Sequence, residues 1–342
     1  MSESLRDYTS LHLGGPAKNF VHARTEAELI EAVSKADQTG EPLLIIGGGS
    51  NVLIGDEGFP GTVVRVETKG NTFQVDACSG GMITVAAGEG WDEFVDWSIE
   101  NGFVGLETLS GIPGTVGASP IQNIGAYGHE VSETIARVRT WDRKSNSYKT
   151  FANSECAFEY RNSLFKQEKD RYVIIEVTFQ LEKGDLGLPI KYGELAKALN
   201  VELGARVAIE QVRAAVLSLR ALKGMLLDGK DHDTWSAGSF FVNPIVSAEI
   251  AAKLPTEAPR WPQPDGRVKT SAAWLMEHSG VKKGDCHGGA GVSKKHVLAL
   301  VNNGTAKASD LLELARSSRS AVRERFGITL EPEVQFVGLS LD

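Results

Sequence analysis

Apolar positions along the first half of the chain change between a helical and an extended period. Thr25 and Glu28 form a capping-box pattern at the start of a run with helical spacing. The apolar run at 43–46 follows a Gly-Glu-Pro turn, which is typical of a buried strand. A helix is predicted at 91–101, and further strands are predicted at 61–66, 83–87, 135–141, 148–152 and 171–181. Strands and helices are mixed with little regular alternation, so the pattern predicts an α+β fold.

The second half of the chain begins with an amphipathic helix at 208–222, followed by a polar crossing at 224–236. The Pro-rich stretch 254–267 is predicted to be a loop. Further helices are predicted at 247–253, 271–279 and 309–326, and the chain closes with a strand-like segment from Glu331 onward. The sequence contains no internal repeat.

Composition and charge narrow the class of protein. A net charge of -8 argues against nucleic acid as a partner, because nucleic-acid binders usually carry a basic patch. The N-terminus lacks the pattern of a signal peptide and no run of about 18 apolar residues occurs, so we expect a cytoplasmic protein with no membrane partner. Cys78, Cys156 and Cys286 are odd in number and lack metal-ligand spacing, which indicates free thiols in a reducing compartment.

Two glycine-rich segments stand out as candidate ligand loops. Residues 47–51 (GGGSN) follow a predicted strand, and small residues allow backbone N–H groups to approach a phosphate closely. Residues 105–128 are too rich in Gly and Pro for a long regular element, yet too apolar for a solvated loop. Together they suggest a dinucleotide cofactor. The alternatives without a ligand are a tight turn at the end of the strand for residues 47–51 and a stiff surface loop for residues 105–128.

Three polar side chains could carry chemistry, although each has an ordinary structural interpretation. Ser239 lies between Gly and Phe without the G-x-S-x-G pattern of a nucleophile, so a structural serine is the default. Arg161 would by default be a surface charge, and Glu333 an exposed carboxylate at a strand start. The seven histidines show no paired spacing, and we therefore predict no metal site.

Five segments, taken in order, resemble the UDP-N-acetylenolpyruvoylglucosamine reductase (MurB) family over essentially the whole chain. They are GGGSNVLI (47–54), GLETLSGIPGTVGASPIQNIGAYG (105–128), YRNSLFK (160–166), GSFFVNP (238–244) and EPEV (331–334). Residues 191–195 (KYGEL) look like the tyrosine-bearing loop of the longer family subtype, which folds over bound substrate.

The resemblance implies an α+β protein with a two-subdomain FAD-binding fold of the vanillyl-alcohol-oxidase type. It implies one FAD subdomain at 1–66 and a second at 67–218, to which the C-terminal strand 327–342 returns. A smaller α+β domain at 219–326 would bind the UDP-sugar. The implied activity is NADPH-dependent, FAD-mediated reduction of UDP-N-acetylglucosamine enolpyruvate to UDP-N-acetylmuramate in peptidoglycan precursor synthesis, by a protein expected to be monomeric.

Matching each motif carries family roles onto residues of this chain. Ser239 would be the proton donor, with Arg161 and Glu333 as electrostatic partners. The cofactor would be held by Gly47, Gly49, Ser50, Asn51, Pro113, Ser119, Gln122, Asn123, Gly125 and Tyr127, with Arg220 facing the flavin ring. The UDP-sugar would be bound by Tyr192, Lys223, Asn243, Lys282 and His296. Val242 and His296 occupy positions where relatives can carry Lys and Gln.

The chemistry of the implied reaction suits these residue types. Negative charge that develops beside a carboxylate needs preorganised cations or donors, and the planar guanidinium of Arg161 suits a carboxylate. A nascent carbanion is a strong base, so even the weakly acidic hydroxyl of Ser239 can protonate it. Glu333 would help as a neutral acid or by orienting Arg161. Two alternatives are an oxidase of the same fold and a non-catalytic module that binds a flavin or nucleotide sugar.

Overall fold

The structure, a computed structural model, describes residues 3–76 and 80–342, so Cys78 lies outside the described residues. It contains two compact units. The N-terminal unit comprises Ala17–Gly48 and Pro60–Leu222. The C-terminal unit comprises Glu3–Pro16, Gly49–Phe59 and Lys223–Asp342, and thus includes two early segments of the chain.

The helices are α1 Glu26–Thr39, α2 Trp91–Glu100, α3 Leu164–Gln167, α4 Gly193–Leu199, α5 Ile209–Leu222, α6 Ala248–Lys253, α7 Ala272–His278 and α8 Ala308–Phe326. The strands are β1 Ala17–Ala23, β2 Leu43–Ile46, β3 Val52–Ile54, β4 Phe59–Val66, β5 Asn71–Asp76, β6 Gly80–Ala86, β7 Phe103–Val104, β8 Gly125–Ala126, β9 His129–Glu130, β10 Ile135–Asp142, β11 Ser147–Ala152, β12 Tyr172–Lys183, β13 Ser236–Ser239, β14 Ile245–Val246, β15 Arg260–Pro262, β16 Val268–Thr270, β17 Cys286–His287, β18 Ala290–Val292, β19 Ala299–Asn302 and β20 Gln335–Val337. The predicted α+β class is confirmed.

The N-terminal unit is built on two main sheets. The smaller has the order β1-β4-β2, and β2 runs parallel to β4. The larger has the order β11-β10-β12-β6-β5 with antiparallel pairing throughout. Val138, Val177 and Val85 are aligned across its three central strands and are all buried. Branched side chains fill such a pleated, buried surface well, so this row anchors the sheet.

The first helix shows how local sequence fixes an element. The Thr25 side chain accepts a hydrogen bond from the Glu28 N–H at 3.2 Å, and Glu28 Oε2 accepts from the Thr25 N–H at 3.0 Å. The predicted capping box is therefore present. The helix ends at Gly40, whose φ of 66° is the left-handed conformation that glycine adopts without a steric penalty.

The C-terminal unit contains the sheet β13-β19-β18-β17, the sheet β14-β16-β15 and the parallel pair β20-β3. Its core is lined by buried residues of α7 and α8 together with Phe240 and Phe241. A carboxylate distant in sequence caps α8, because Asp56 accepts from the N–H groups of Ala308 at 2.7 Å and Ser309 at 3.2 Å. Among the described residues, no helix combines the length and apolar character needed to cross a membrane.

Three local predictions differ from the structure. The predicted loop 254–267 contains the short strand β15, which is tolerated because Pro262 lies at the edge of its sheet. The stretch 191–195 is not loop throughout, since α4 begins at Gly193 with Tyr192 as its N-cap. The last strand, β20, pairs with β3 of the C-terminal unit and not with a strand of 67–218. The division into three residue ranges otherwise stays a prediction.

Candidate functional site

Within the N-terminal unit, residues 47–48 of the first glycine-rich segment lie beside residues 114–115 of the second. A Cβ atom added to Gly47 would fall 2.3 Å from Oγ1 of Thr115, and one added to Gly48 would fall 2.9 Å from Cα of Gly114. Real Cβ atoms do not approach other atoms so closely, so both positions require glycine. The sequence pattern identified both segments, and the structure brings residues 47–48 and 114–115 together.

A strip of backbone leading into α2 holds the second segment in place. The Trp91 N–H donates to the Gly114 carbonyl at 3.0 Å, and its indole N–H donates to the Leu109 carbonyl at 3.0 Å. The Val116 N–H donates to the Glu89 carbonyl at 2.9 Å. All three bonds involve Glu89 or Trp91. These two residues therefore hold the loop around Pro113, although the loop has no long helix or strand of its own.

An ion-pair cluster that the sequence reasoning missed ties α5 to the same region. The guanidinium of Arg213 donates to both carboxylate oxygens of Asp92, at 2.7 and 3.0 Å, and its Nε lies 2.8 Å from Asp96. Asp92 also accepts from the Gly111 N–H at 2.5 Å. Arg213 and Asp92 lie more than a hundred residues apart in the chain, so no local sequence motif could have revealed this ion pair.

Arg220, on the same helix, is a desolvated cation. Burial lowers the pKa of Arg220 below its ordinary value, and the nearby Tyr127 and Asp92 partly oppose this shift. Burial likewise raises the pKa of Tyr127 to about 12, so its phenol is neutral at physiological pH. The ring of Tyr127 packs edge-on against Tyr192, with centroids 5.7 Å apart. Arg220, Tyr127 and Tyr192 are therefore neighbours within the N-terminal unit.

The remainder of the 105–128 segment is anchored to the turn that carries Arg161. The Asn123 amide donates to the Glu159 carbonyl at 3.1 Å, and Ser163 donates to the Ile121 carbonyl at 2.6 Å. Arg161 itself donates to the carbonyl of Gly125 at 2.8 Å. The structure thus joins a predicted catalytic residue to the predicted cofactor loop. Ser119 is buried and Pro113 and Gln122 are half-buried in that loop.

In the C-terminal unit the predicted catalytic serine and glutamate are adjacent. The Glu333 N–H donates to the carbonyl of Phe240, the residue after Ser239, at 2.8 Å. Asn51 donates from its side-chain amide to the Glu333 carbonyl at 3.2 Å. Gly49 lies against Tyr8, whose carbonyl oxygen would be 1.9 Å from an added Cβ. Glu333 is therefore bonded both to Asn51 and to the residue that follows Ser239, whereas Arg161 belongs to the N-terminal unit.

The predicted sugar-nucleotide residues occupy several elements. Asn243 uses its side-chain oxygen to accept from the Ala272 N–H at the start of α7, at 2.9 Å. The turn that carries His296 is organised by Ser293, whose hydroxyl accepts from the His296 N–H at 3.2 Å and donates to Asp233 at 3.0 Å. Lys282 is exposed and Lys223 is half-buried.

These residues suit a flavin dinucleotide. Glycines with no room for a side chain bring two backbone segments together, and the desolvated guanidinium of Arg220 would favour an electron-rich ring. A family model for an FAD binding domain matches residues 17–148. The chain is therefore a flavoprotein. A second model, the C-terminal domain of UDP-N-acetylenolpyruvoylglucosamine reductase, matches residues 230–337.

Known relatives cover almost the entire chain. The UDP-N-acetylenolpyruvoylglucosamine reductase of Cutibacterium acnes is 53% identical over 98% of this chain and 90% of its own length. That of Streptomyces avermitilis is 51% identical over 98% and 94%. The crystal structure of the Thermus caldophilus reductase matches with a TM-score of 0.68 and 27% identity, covering 98% of both chains. The chain belongs to the UDP-N-acetylenolpyruvoylglucosamine reductase family.

Family membership confirms the fold and the activity that the sequence motifs implied. The chain is an FAD-dependent oxidoreductase of peptidoglycan synthesis that uses NADPH to reduce UDP-N-acetylglucosamine enolpyruvate. The roles of individual residues stay predictions. No group of three His, Cys, Asp or Glu residues in the described ranges could hold a metal ion.

Proposed function

We propose that Ser239 protonates the substrate carbon while Arg161 and Glu333 stabilise the charge that develops beside it. One observation carries this proposal: the Glu333 N–H is bonded to the carbonyl of Phe240 at 2.8 Å, which fastens Glu333 to the strand end that bears Ser239. This bond fixes the backbone segments that carry the hydroxyl and the carboxyl to each other, and preorganised polar groups stabilise transition-state charge most effectively.

Each side chain has a distinct part in the proposed reaction. Bound FAD, once reduced by NADPH, supplies the hydride to the enolpyruvyl group. Ser239 gives its hydroxyl proton to the adjacent carbon, from one face. Arg161 pairs with the substrate carboxylate, and its bond to the Gly125 carbonyl at 2.8 Å orients the guanidinium. Glu333 acts as a neutral donor or orients the other groups.

We assign the binding roles by the same reasoning. The candidates for FAD are the small or amide-bearing residues of the two loops, with one tyrosine and one arginine: Gly47, Gly49, Ser50, Asn51, Pro113, Ser119, Gln122, Asn123, Gly125, Tyr127 and Arg220. The candidates for the UDP-sugar are Tyr192, Lys223, Asn243, Lys282 and His296. The side chain of Tyr192 is 45% exposed, which suits contact with an incoming ligand. We infer from this loop that the chain belongs to the longer subtype of the family.

The proton-donor role is tested by separating the two half-reactions. Ser239→Ala should leave bleaching of the flavin by NADPH intact, because that step needs no proton from Ser239. Reoxidation by the enolpyruvyl UDP-sugar without oxygen should slow about 10²–10⁴-fold. Ser239→Cys, which keeps an acidic hydrogen, should recover part of the rate. Near-normal reoxidation by the alanine variant would show that another group donates the proton.

We further propose that the protein is a cytoplasmic monomer. NADPH and nucleotide sugars are cytoplasmic metabolites, which supports this location. Sedimentation of the FAD-loaded protein should then give the mass of a single 36.8 kDa chain plus cofactor. A mass twice as large would contradict the monomer.

A further inference from the structure

A buried histidine in the N-terminal unit links two segments of the candidate site. His129 lies in β9, directly after the glycine-rich segment, and its side chain is only 2% exposed. Nδ1 lies 2.7 Å from Oε2 of Glu133, and Nε2 lies 3.0 Å from the carbonyl oxygen of Pro189. Both ring nitrogens are thus engaged, one of them by the segment that leads to Tyr192.

The two partners of His129 belong to different segments of the chain. A carbonyl oxygen can only accept, so Nε2 of His129 must donate to Pro189. Burial alone would raise the pKa of Glu133, but the hydrogen bond from His129 and the charge of Lys191 lower it below the ordinary value. The His129 ring therefore joins the side chain of Glu133 to the backbone of Pro189.

The same segment is held at two further points. Lys191 Nζ lies 3.4 Å from both carboxylate oxygens of Glu133, so this carboxylate contacts both His129 and Lys191. A Cβ added to Gly128 would lie 2.8 Å from Cβ of Lys191, which shows how closely the two backbones approach. The next residue, Tyr192, packs edge-on against Tyr127 at 5.7 Å and begins α4.

We propose that His129 is the positioning residue that holds the Pro189–Tyr192 segment and so places the Tyr192 ring beside Tyr127. This inference rests on the proposed role of Tyr192 in binding the UDP-sugar. His129 is buried and is not among the candidate ligand-binding residues. Its function is to fix the start of α4, because a donor that bridges a carboxylate and a carbonyl fastens the two segments at one point.

The first test compares KM values for the UDP-sugar with rates of flavin reduction. His129→Phe keeps a ring but removes both ring nitrogens, and should raise KM for UDP-N-acetylglucosamine enolpyruvate about tenfold. His129→Gln keeps one donor and should give a smaller increase. Flavin content and bleaching by NADPH should not change, because neither needs Tyr192. His22→Phe is a matched control that removes another His–Glu contact of the same unit, 3.0 Å long, and should leave KM unchanged.

Tyr192→Phe separates this inference from the proposed function beneath it. If Tyr192→Phe raises KM and the double variant His129→Phe/Tyr192→Phe raises it no further, His129 acts through Tyr192. If Tyr192→Phe raises KM but both His129 variants keep the normal value, the positioning role is overturned and the binding role of Tyr192 stands. An unchanged KM for Tyr192→Phe itself overturns both.

Discussion

Several residues of the candidate site have backbone conformations that side chains rarely adopt. Asn123, Tyr127 and Arg161 have φ angles of 48°, 50° and 55°, in the left-handed region. For Tyr127 and Arg161 this costs about 1–2 kcal/mol each, whereas asparagine adopts this conformation more readily. Such conformations persist where surrounding contacts fix them, and the bonds from Asn123 to Glu159 and from Arg161 to Gly125 do so here. The strain is therefore tied to the direction in which these side chains point.

Arg161 offers a direct test of this strain. Arg161→Gly and Arg161→Ala both remove the guanidinium, but only alanine retains the left-handed penalty. The glycine variant should therefore be more stable than the alanine variant by about 1 kcal/mol in urea unfolding. Both should reoxidise poorly with the UDP-sugar. Equal stability of the two variants would show that the turn relaxes when the arginine is lost.

Sequence reasoning at this scale found the residues that belong to motifs and missed those that support them. Arg161, Ser239 and Glu333 stand in short recognisable strings. Asp92 and Arg213 do not, and their bidentate pair forms only when α2 and α5 pack together. His129 gave no metal or catalytic pattern, and its importance emerges only from its burial between Glu133 and Pro189. Contacts between residues that lie far apart in the sequence can be identified only from the three-dimensional structure.

At the scale of elements, the capping of α8 shows that a helix terminus can be satisfied from elsewhere in the chain. The N-cap residue, Lys307, makes no capping bond through its side chain. Asp56 instead accepts from the first two N–H groups of the helix, and its negative charge complements the positive end of the helix dipole. The loop after β3, which carries Asp56, therefore stabilises the N-terminus of α8.

This cap predicts a measurable loss of stability. Asp56→Ala should lower the free energy of unfolding by about 1–2 kcal/mol, and Asp56→Asn, which keeps one acceptor, by less. Glu249→Ala is a suitable control, because it removes a carboxylate that is 81% exposed in the first turn of α6 and should change stability by less than about 0.5 kcal/mol. If the two alanine variants were equally stable, the assigned cap would contribute nothing.

Elements with strong local signals were the ones that the sequence predicted well. Helix α1 combines a capping box with a terminal glycine, and its predicted start agrees with the structure. Strand β15 was missed because proline normally argues against a strand. At the edge of a sheet, however, proline can be accommodated, because the N–H group that it lacks need not pair with a neighbouring strand. Helix α4 is only one to two turns long, Gly193–Leu199, and such a short helix gives little periodic signal.

At the scale of the whole molecule, the candidate FAD residues are distributed over both compact units. Gly47 belongs to the N-terminal unit, and Gly49, Ser50 and Asn51 belong to the C-terminal unit. The family resemblance implied one FAD subdomain at 1–66. The grouping of 3–16 and 49–59 with the C-terminal half depends on tertiary packing and strand pairing, which a linear pattern does not reveal.

This distribution predicts how FAD affects stability. A ligand stabilises the parts of a protein that hold it, so removal of FAD should speed amide hydrogen exchange in both units. We expect the change at peptides covering 119–127 and at those covering 49–51. Peptides of α6, which contains no candidate residue, provide the reference. Protection confined to the N-terminal unit would contradict the role assigned to Gly49, Ser50 and Asn51.

The parallel pairing of β3 with β20 has a consequence for the order of synthesis. Val52–Ile54 is translated well before Gln335–Val337, because the two strands are far apart in the chain. Until then the β3 edge has no β20 beside it, and exposed strand edges invite pairing with other chains. Glu333 and its bond from Asn51 also depend on this later part of the chain. The nascent polypeptide therefore cannot bring the predicted catalytic residue Glu333 to Asn51 until this distant segment has been made.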